Sequence, residues 1–524
     1  MTDYNFIIFN VAITDNGVKF VYVNDDDTVQ LLNSKQSVQD FLNSLTDTDI
    51  LVGFRVKNDP WVKEVLSTVG QELLLVDLSD DMDSTLSLTA ITLHLGLPLK
   101  DTNPLKTLEY LFVLRTDYIL NKLRLAEMAG LDVRQSLLLT EASLMANVLQ
   151  AKKVNNPMKG EIETPDCIDW NLIPDEVKDF FESMPNSEKL THTIGNLDVT
   201  FSQGGCHGAL AKTDVKPTGK ENLWTLDVKS MYPYIMVNYN LISRAVPEIQ
   251  IFKDIIEKRV NGDYNIKRAL KGPLNKVYGA MKAKHSNLYD PLYVLGVCIT
   301  GQLLMCMLMC RLAKVEGLEF VQVNTDGLII YFATDKEDEV TSIVTDWQKA
   351  TNLQLTKKNL NYIYQKDVSN YLALESTGKI ILKGGWLNRG IDESGKWTIN
   401  FNSMVVCDAI CKHLMWGMDI DKCIEFNNNV NMYQIITKID KDKYSLIAYD
   451  KDTNQRFLSA CRVYAAKDKM LGTLLKKNHK GGFETIANIP KHCLIGNDTI
   501  PSIEEIDKTY YIELAKKQAE RFKR

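Results

Sequence analysis

The amino-acid sequence predicts a mixed α+β protein of several domains. Its 524 residues exceed the usual size of one domain, and the 45% that are hydrophobic suffice for sizeable cores. Over roughly the first 130 residues, strand-like runs alternate with helix-like runs, which is typical of an α/β layer. Later, two β-prone runs end at aspartates, Asp227 and Asp326, and a helix-like segment separates them. We therefore expect an α/β domain followed by antiparallel strands with helices inserted among them.

The elements of the α/β domain follow from hydrophobic periodicity. Strands are predicted at residues 6–13 and 18–23, and helices at residues 38–45 and 60–69.

The first aspartate closes a strand. An apolar run from Leu223 leads to Asp227, and a turn-forming Ser-Met-Tyr-Pro segment at residues 230–233 follows before a helix-like stretch. This pattern predicts a strand that ends in a carboxylate.

The second aspartate lies in a predicted hairpin. Two β-branched and aromatic runs between Phe320 and Phe332 are joined at Asn324-Thr325-Asp326-Gly327, which places Asp326 at the tip. An Asp-Gly pair is also a common turn signal without any chemistry. Two carboxylates on strand ends are, however, the ligands that a pair of Mg²⁺ ions uses in phosphoryl transfer.

The segment between the aspartates favours the chemical interpretation. Lys267, Lys271, Asn275 and Tyr278 recur at helical spacing and would line one helix face, with Arg259 upstream. Such a face suits a triphosphate, although a solvated basic face is the ordinary meaning of clustered lysines. Pro273 predicts a kink, or a helix that starts afresh there and leaves the lysines outside it.

The order of these three segments resembles that of the family B DNA polymerases, and their small bacteriophage branch fits best. The matching motifs are residues 227–233, 271–279 and 323–327. Residues 203–209 and 375–386 are similar to segments that hold the template and primer strands. Asn324 departs from the pattern, because many family members carry a second aspartate there. The resemblance covers most of the chain from about residue 200.

The resemblance implies a right-hand polymerase preceded by a domain of the RNase H-like exonuclease type. The expected divisions are an exonuclease-like α/β domain (1–130), a connector (131–194), an antiparallel palm in two parts (195–250 and 301–395), helical fingers (251–300) and a helical thumb (396–524).

The resemblance also implies a role for each site residue. Asp227 and Asp326 would be catalytic and bind two Mg²⁺ ions, for which Mn²⁺ substitutes, together with the carbonyl of Val228. Tyr232 would exclude a 2′-hydroxyl and so select deoxynucleotides. The expected nucleotide-binding residues are Ser230, Met231, Tyr232, Arg259, Lys267, Lys271, Asn275 and Tyr278, and the expected DNA-binding residues are Gly204, Gly205, His207, Thr325 and Lys383. For His207, a template contact and a role in folding the Gly-Gly turn are equally open.

The exonuclease-like domain departs from the family where its metal ligands belong. The first predicted strand carries no acid, and only Asp59 in the next motif matches a family ligand. The later helix-like segment around Glu109 and Asp117 looks shortened, and neither acid can be matched. We therefore expect a nuclease-like fold without proofreading activity.

Partners follow from charge and spacing. Despite a net charge of −6, residues 253–284, 467–480 and 516–524 are locally basic, and we expect them to contact the phosphates of primer–template DNA. Deoxynucleotides are the other expected partner. The 44 residues from Asp227 to Lys271 and the 55 from there to Asp326 leave no room for the insertions of protein-primed relatives, so no terminal protein is expected. A phage primase, helicase or processivity factor are candidate partners.

Ten irregularly spaced cysteines indicate neither disulfides nor a zinc module. No signal peptide is apparent, the apolar stretch 294–312 is predicted to be a buried helix rather than a membrane span, and the expected location is the cytoplasm of an infected bacterial host. Two alternatives stay open: a polymerase that copies RNA, and a nucleic-acid-binding relative that has lost catalysis.

Overall fold

A computed structural model of the chain describes residues 4–14, 17–23, 29–67, 74–80, 82–83, 86–100, 103–182, 189–390, 397–450, 452–457 and 459–523. The chain divides into two compact units. Unit 1 comprises Met1–Thr140 and Asn388–Lys516, and unit 2 comprises Glu141–Leu387 and Lys517–Arg524.

The first part of unit 1 is an α/β layer, as predicted. Its strands are β1 (Asn5–Thr14), β2 (Gly17–Val23), β3 (Val29–Leu32), β4 (Asp49–Gly53) and β5 (Leu74–Asp77), and its helices are α1 (Lys35–Ser44), α2 (Pro60–Ser67), α3 (Leu88–His94), α4 (Pro104–Ala129) and α5 (Val133–Leu138). The sheet order is β3-β2-β1-β4-β5, with β1 antiparallel to β2 and parallel to β4. The central strands are buried on both faces, which explains their continuous apolar runs. The expectation of a shortened late helix is wrong, because α4 is 26 residues long.

Unit 2 is built on one antiparallel sheet. Its strands are β6 (Leu190–Ile194), β7 (Leu197–Ser202), β8 (Gly205–Ala209), β9 (Thr213–Val215), β10 (Glu221–Val228), β11 (Glu319–Asn324), β12 (Gly327–Ala333), β13 (Leu355–Asp367), β14 (Asn370–Glu375) and β15 (Ile380–Lys383). Nine of them follow the order β15-β14-β13-β10-β12-β11-β8-β7-β6, and β9 pairs with β13. This confirms the prediction that Asp227 and Asp326 share an antiparallel sheet.

Helices accompany this sheet. They are α6 (Glu141–Val148), α7 (Asp175–Glu182), α8 (Met231–Asn238), α9 (Ile249–Asn261), α10 (Tyr264–Lys282), α11 (Pro291–Leu312) and α12 (Glu337–Thr351). The helical character expected for residues 251–300 is therefore confirmed.

Helix α11 is the core helix of unit 2. It is long and apolar enough to span a membrane, but 83% of its most apolar 18-residue stretch is buried inside the fold. The prediction of a buried helix is confirmed.

Helix α10 runs through Pro273 without ending there. The alternative in which a helix starts afresh at Pro273 is therefore wrong, and Lys267 and Lys271 belong to the same helix as Asn275. Leu270, Leu274 and Val277 are buried on the neighbouring face of this helix, and the lysine face is exposed.

The chain after residue 396 differs from the expectation of a helical thumb. It contains helices α13 (Met404–Trp416), α14 (Ile420–Glu425) and α15 (Lys508–Ala519), but also strands β16 (Ile435–Lys438), β17 (Tyr444–Tyr449), β18 (Asp452–Phe457), β19 (Ala460–Ala465), β20 (Leu474–Asn478), β21 (Phe483–Thr485) and β22 (Cys493–Ile495). The strands form sheets ordered β16-β19-β22 and β18-β17-β20-β21. β-Branched and aromatic runs, separated by Asp- and Gly-containing turns, explain this outcome.

A buried arginine joins the two parts of unit 1. Arg462 on β19 is fully buried and donates hydrogen bonds to the carbonyls of Leu93 (3.1 Å), Leu97 (3.2 Å) and Gly496 (2.7 Å). The same core contains Ile436 beside side chains of the α/β layer. Residues 388–516 therefore complete the core of unit 1.

Candidate active site

Asp227 lies on a strand beside the hairpin whose turn carries Asp326. Asp227 is opposite Gly327 in the β10–β12 pair, and the backbone N–H of Val228 donates to the carbonyl of Asp326 at 2.8 Å. A Cβ atom at Gly327 would lie 2.4 Å from Oδ1 of Asp227, so a larger residue there would displace the Asp227 carboxylate. Both predicted positions are confirmed: Asp227 is at the end of a strand and Asp326 is in a hairpin turn.

The turn that carries Asp326 is strained. Thr325 has a φ of +47°, a left-handed conformation that a β-branched residue rarely adopts. The N–H of Asp326 donates to the carbonyl of Asn324 at 2.5 Å, which closes a γ-turn around Thr325. The turn thereby projects Asp326 from the sheet toward solvent.

Desolvation and mutual repulsion make the aspartate pair a candidate cation site. The side chain of Asp326 is exposed, but nearby protein removes part of the water around its carboxyl group. This desolvation, together with the negative charge of Asp227, raises the pKa of Asp326 to about 6. Asp227 is exposed as well and accepts a hydrogen bond from the Thr225 hydroxyl at 3.1 Å. Asn324 borders the same recess of about 70 Å³. Adjacent acceptor-only oxygens suit Mg²⁺, and an ion there would relieve the repulsion.

Few side chains at the aspartate pair could serve as ligands of a divalent cation. Among the described residues, no three His, Cys, Asp or Glu side chains cluster as metal ligands. The side chain of Val228 is apolar and buried, so only its backbone carbonyl can serve. Water and substrate oxygens would have to complete the coordination, as is usual for Mg²⁺.

A second recess adjoins Asp326 and gathers most of the predicted nucleotide-binding residues. Its volume is about 340 Å³, within the range of small-molecule sites. It is lined by Ser230, Met231, Tyr232, Pro233, Arg259, Asn275, Thr325 and Asp326.

A cationic side chain and backbone N–H groups face this second recess. The half-buried Arg259 donates to the Ser230 hydroxyl at 3.3 Å, and no carboxylate pairs with it among the described residues. Burial lowers the pKa of its guanidinium. The first turn of α8 lies here, and Ser230 at its start makes no side-chain capping bond, so α8 presents uncapped N–H groups. The recess is suited to an anion.

Tyr232 lines the recess, and Tyr278 packs against its ring. The rings of Tyr232 and Tyr278 lie 4.4 Å apart between centroids, and Lys282 lies 4.4 Å from the centroid of the Tyr278 ring. Burial raises the pKa of both phenols, which stay neutral and can donate hydrogen bonds. Tyr278 thus fixes Tyr232 against the recess.

The remaining predicted cations lie outside the lining of this recess. Lys267 and Lys271 are exposed on α10, and neither pairs with a carboxylate among the residues that the structure describes. Lys383 is exposed at the end of β15, an edge strand three strands from β10. Lys267 and Lys271 are available to longer ligands at the surface of unit 2.

The Gly-Gly segment packs against the hairpin. Gly204 is exposed, whereas Gly205 begins β8 and touches Thr325. His207 lies on this strand rather than in a loop, and its Nε2 is 3.1 Å from Oγ1 of Thr325. Burial, with the charge of Lys189, lowers the pKa of His207, which favours a neutral ring. His207 therefore supports the hairpin through Thr325. Its contact with the template stays a prediction.

Sequence analysis missed an ion pair that holds α10. The buried Glu141 on α6 pairs with Lys276 on α10. Gly272 packs against the same carboxylate, because a Cβ atom on Gly272 would lie 3.6 Å from Oε2 of Glu141. Glu141 is the first residue of α6, where an acid is common, so the sequence carried no signal for this pair.

Two acids of the α/β layer have structural roles. Asp59 accepts the N–H of Val62 at 2.9 Å and caps α2. Asp80 pairs with Lys57 and with the fully buried Lys122. The only carboxylate that matched a nuclease ligand thus serves as a helix cap.

Comparisons with known proteins give a weak likeness. No protein-family model matches the chain, and no curated protein matches it. Among solved structures, it is similar to the family B DNA polymerase from the hyperthermophilic archaeon Pyrobaculum calidifontis, with 13% sequence identity and a TM-score of 0.44, over 99% of this chain and 77% of that one. Neither the identity nor the TM-score is high enough to show a family.

Proposed function

We propose that this protein is a template-directed DNA polymerase that adds deoxynucleotides to a primer 3′-hydroxyl by two-metal phosphoryl transfer. The observation that carries the proposal is the recess in which Arg259 and the uncapped start of α8 face Asp326, with Asp227 on the strand beside its hairpin. Anion-binding groups beside paired carboxylates suit a triphosphate that arrives with its own metal ions.

Asp227 and Asp326 would hold the cations, together with the carbonyl of Val228. Two Mg²⁺ ions bound there would lower the pKa of the primer hydroxyl and stabilise the leaving pyrophosphate. The raised pKa of Asp326 supports this assignment, because a carboxylate crowded by a like charge gains most from a bound cation.

The triphosphate would lie between α8 and α10. Arg259 and the N–H groups of residues 230–232 provide fixed donors for phosphate oxygens. Lys271, with Lys267 one turn away, provides mobile cations that no carboxylate neutralises among the described residues. Asn275 and Tyr278 would orient the nucleotide.

Tyr232 would select the sugar. Its ring is fixed by Tyr278 and lines the recess that contains Asp326. A rigid ring under the sugar would collide with a 2′-hydroxyl, as the resemblance to the family B polymerases implies, and deoxynucleotides would be preferred.

The DNA would be held by its backbone and would not be read by sequence. Lys383 would contact the primer, and Gly204, Gly205, His207 and Thr325 would lie near the template and primer ends. A role in phage DNA replication inside a bacterial host, with a primase, helicase or processivity factor from the same system, belongs to the proposal.

Proofreading is proposed to be absent. Asp59 is engaged as a helix cap, and Asp80 is paired with two lysines. A mismatched primer is expected to keep its length in the presence of Mg²⁺. Shortening of that primer, abolished by Asp59→Ala, would contradict this part of the proposal.

The test is extension of a labelled primer on a DNA template with Mg²⁺ and either deoxynucleotides or ribonucleotides. Native protein is expected to extend the primer with deoxynucleotides, and Asp326→Asn is expected to abolish extension. Asp335→Asn, which removes an exposed carboxylate close by in the chain, is the matched control and should retain activity.

Asn324 favours one alternative, a nucleic-acid-binding relative without catalysis, because it leaves the recess with only two carboxylates. Native protein that binds primer–template but neither extends it nor binds Mg²⁺ would establish that alternative. An RNA template in the same assay distinguishes the polymerase that copies RNA.

A further inference from the structure

A buried amide interrupts the apolar helix α11. Gln302 is 1% exposed, its Nε2 donates to the carbonyl of Ser202 at 2.9 Å, and its Oε1 accepts from the N–H of Ser202 at 3.1 Å. One turn earlier, the thiol of Cys298 donates to the carbonyl of Gln203 at 3.1 Å. A buried amide matched at both ends fixes the backbone that it contacts.

The backbone fixed in this way is the tight turn before β8. Within it, the Ser202 hydroxyl donates to the carbonyl of Gly205 and accepts from the N–H of Gly204, both at 3.2 Å. Gly205 has a φ of +126°, and a Cβ atom on it would lie 2.5 Å from Oγ1 of Thr325. The turn therefore packs directly against the strained residue of the hairpin.

Thr325 is held from several sides. Its N–H donates to the carbonyl of Cys206 at 2.7 Å, and its hydroxyl is 3.1 Å from Nε2 of His207. A left-handed threonine persists only when its surroundings impose that conformation. These contacts impose it, and the next residue is Asp326.

We propose that Gln302 is a positioning residue for Asp326. It touches neither metal nor substrate, and it acts by holding residues 202–205 against Thr325, so that the turn presents the Asp326 carboxylate beside Asp227. The inference rests on the proposed function, because it concerns the metal ligand of that reaction.

Gln302→Glu tests the proposal through pH. A protonated glutamic acid reproduces both bonds, since its hydroxyl donates to the Ser202 carbonyl and its carbonyl accepts the Ser202 N–H. The ionised glutamate cannot donate to the Ser202 carbonyl, and it places a negative charge beside that carbonyl oxygen. Burial in this apolar helix raises the pKa of such a carboxyl group toward neutrality. The variant is thus expected to keep the native Mn²⁺ affinity at pH 6.5 and to lose part of it at pH 8.5.

The titratable groups around this amide do not obscure the test. Burial raises the pKa of the thiols of Cys206, to about 12, and of Cys298, so both stay neutral. Tyr278 beyond Cys298 also stays neutral, because burial raises its pKa. The charges that act on these thiols are Lys282 and Asp326. Asp326 has a pKa of about 6, so the affinity of native protein for a divalent cation rises with pH, in the opposite direction to the variant.

The first readout is Mn²⁺ affinity, measured by electron paramagnetic resonance without DNA or nucleotide. Gln302→Glu is expected to bind like native protein at pH 6.5 and about tenfold more weakly at pH 8.5, the lower end of the loss seen when residues that support metal ligands are replaced. Gln302→Met, which keeps the volume but neither hydrogen bond, is expected to bind more weakly at both pH values. Primer extension at the same pH values is the second readout.

Gln365→Glu is the matched control. Gln365 is another buried amide of this sheet, and it donates to the carbonyls of Leu210 (2.8 Å) and Val321 (3.1 Å), at the other end of the β8–β11 pair. Its replacement perturbs the same sheet without touching the turn, so its Mn²⁺ affinity is expected to follow that of native protein with pH.

The outcomes separate two failures. Native-like Mn²⁺ affinity of folded Gln302→Glu and Gln302→Met at pH 8.5 would overturn the positioning role, as would an equal loss in the Gln365→Glu control. Native protein that binds Mn²⁺ and extends no primer would overturn the proposed function, while the pattern of affinities among the variants would still decide whether Gln302 positions Asp326. Circular dichroism at pH 6.5 confirms that each variant is folded.

Discussion

Replacing Asp326 by asparagine is expected to stabilise the hairpin that carries it when no divalent cation is present. In the native protein, dehydration and the neighbouring charge of Asp227 oppose ionisation of Asp326 and raise its pKa from 3.8 to about 6. Asparagine keeps the shape of the side chain and removes the charge, so the repulsion disappears.

The size of the effect follows from this pKa shift. The difference of 6 − 3.8 is about 2 units. At 1.36 kcal/mol per unit, full burial would give about 3 kcal/mol. Because the carboxylate is exposed and screened by solvent, we expect only about 1 kcal/mol.

The pH range of the effect is set by the two pKa values. Between about pH 4 and pH 6, the folded protein retains a proton on Asp326 that the unfolded chain has lost. The free energy of unfolding of native protein therefore falls as pH rises through this range, relative to Asp326→Asn, and the difference stays constant above it.

Hydrogen exchange of the amides in Glu319–Ala333, corrected for intrinsic rates, measures this difference in the presence of a chelator. Added Mg²⁺ should reverse the order, because only native protein gains stability from binding. Asp335→Asn is the control and should follow native protein. Identical pH profiles for native protein and Asp326→Asn from pH 4 to pH 7 would refute the electrostatic reasoning.

Four further changes test other parts of the structure. Gly205→Ala is expected to destabilise unit 2 by about 2 kcal/mol, because its Cβ would collide with Thr325 and its φ is positive; a lower urea midpoint would show this, and an unchanged midpoint would contradict it. Arg462→Met should cost about 3 kcal/mol of unfolding free energy, since it strands several buried carbonyls, and native-like unfolding of unit 1 would show that they are otherwise satisfied. Tyr232→Ala should allow primer extension with ribonucleotides; continued rejection of them would remove the proposed sugar selection. Asn324→Asp adds a third carboxylate to the metal recess and should raise Mn²⁺ affinity several-fold in calorimetry, unless the side chain points elsewhere.

Local signals predicted the strands and turns of the site correctly. The apolar run before Asp227 and the Asp-Gly pair at 326–327 each specify a strand end or turn through neighbours in sequence. The expectation that residues 396–524 are helical came from a family resemblance instead. Its helical character was wrong, because Ile435–Lys438 and Tyr444–Tyr449 carry β-prone residues and form strands. For these residues, local β propensity predicts the strands better than the family resemblance does.

Positioning groups were beyond sequence reasoning for a physical reason. Gln302 is 100 residues from Ser202, and Glu141 is 135 residues from Lys276. Periodicity assigns a residue to a face of its own element, but it gives no information about which distant backbone or side chain that face will meet. An amide inside an apolar helix signals only that some partner exists.

The placement of Arg462 has a consequence for how the chain is made. It is 369 residues from Leu93, whose carbonyl it binds. At about 10 residues per second, the ribosome delivers this arginine roughly 40 seconds after that carbonyl. Meanwhile Glu141–Leu387, which is unit 2 without Lys517–Arg524, can begin to assemble, whereas the α/β layer waits with part of its apolar core unfilled. We therefore expect nascent chains that stall before Arg462 to depend on chaperones and to be sensitive to proteases in Met1–Thr140, while the residues around Asp227 and Asp326 are already protected.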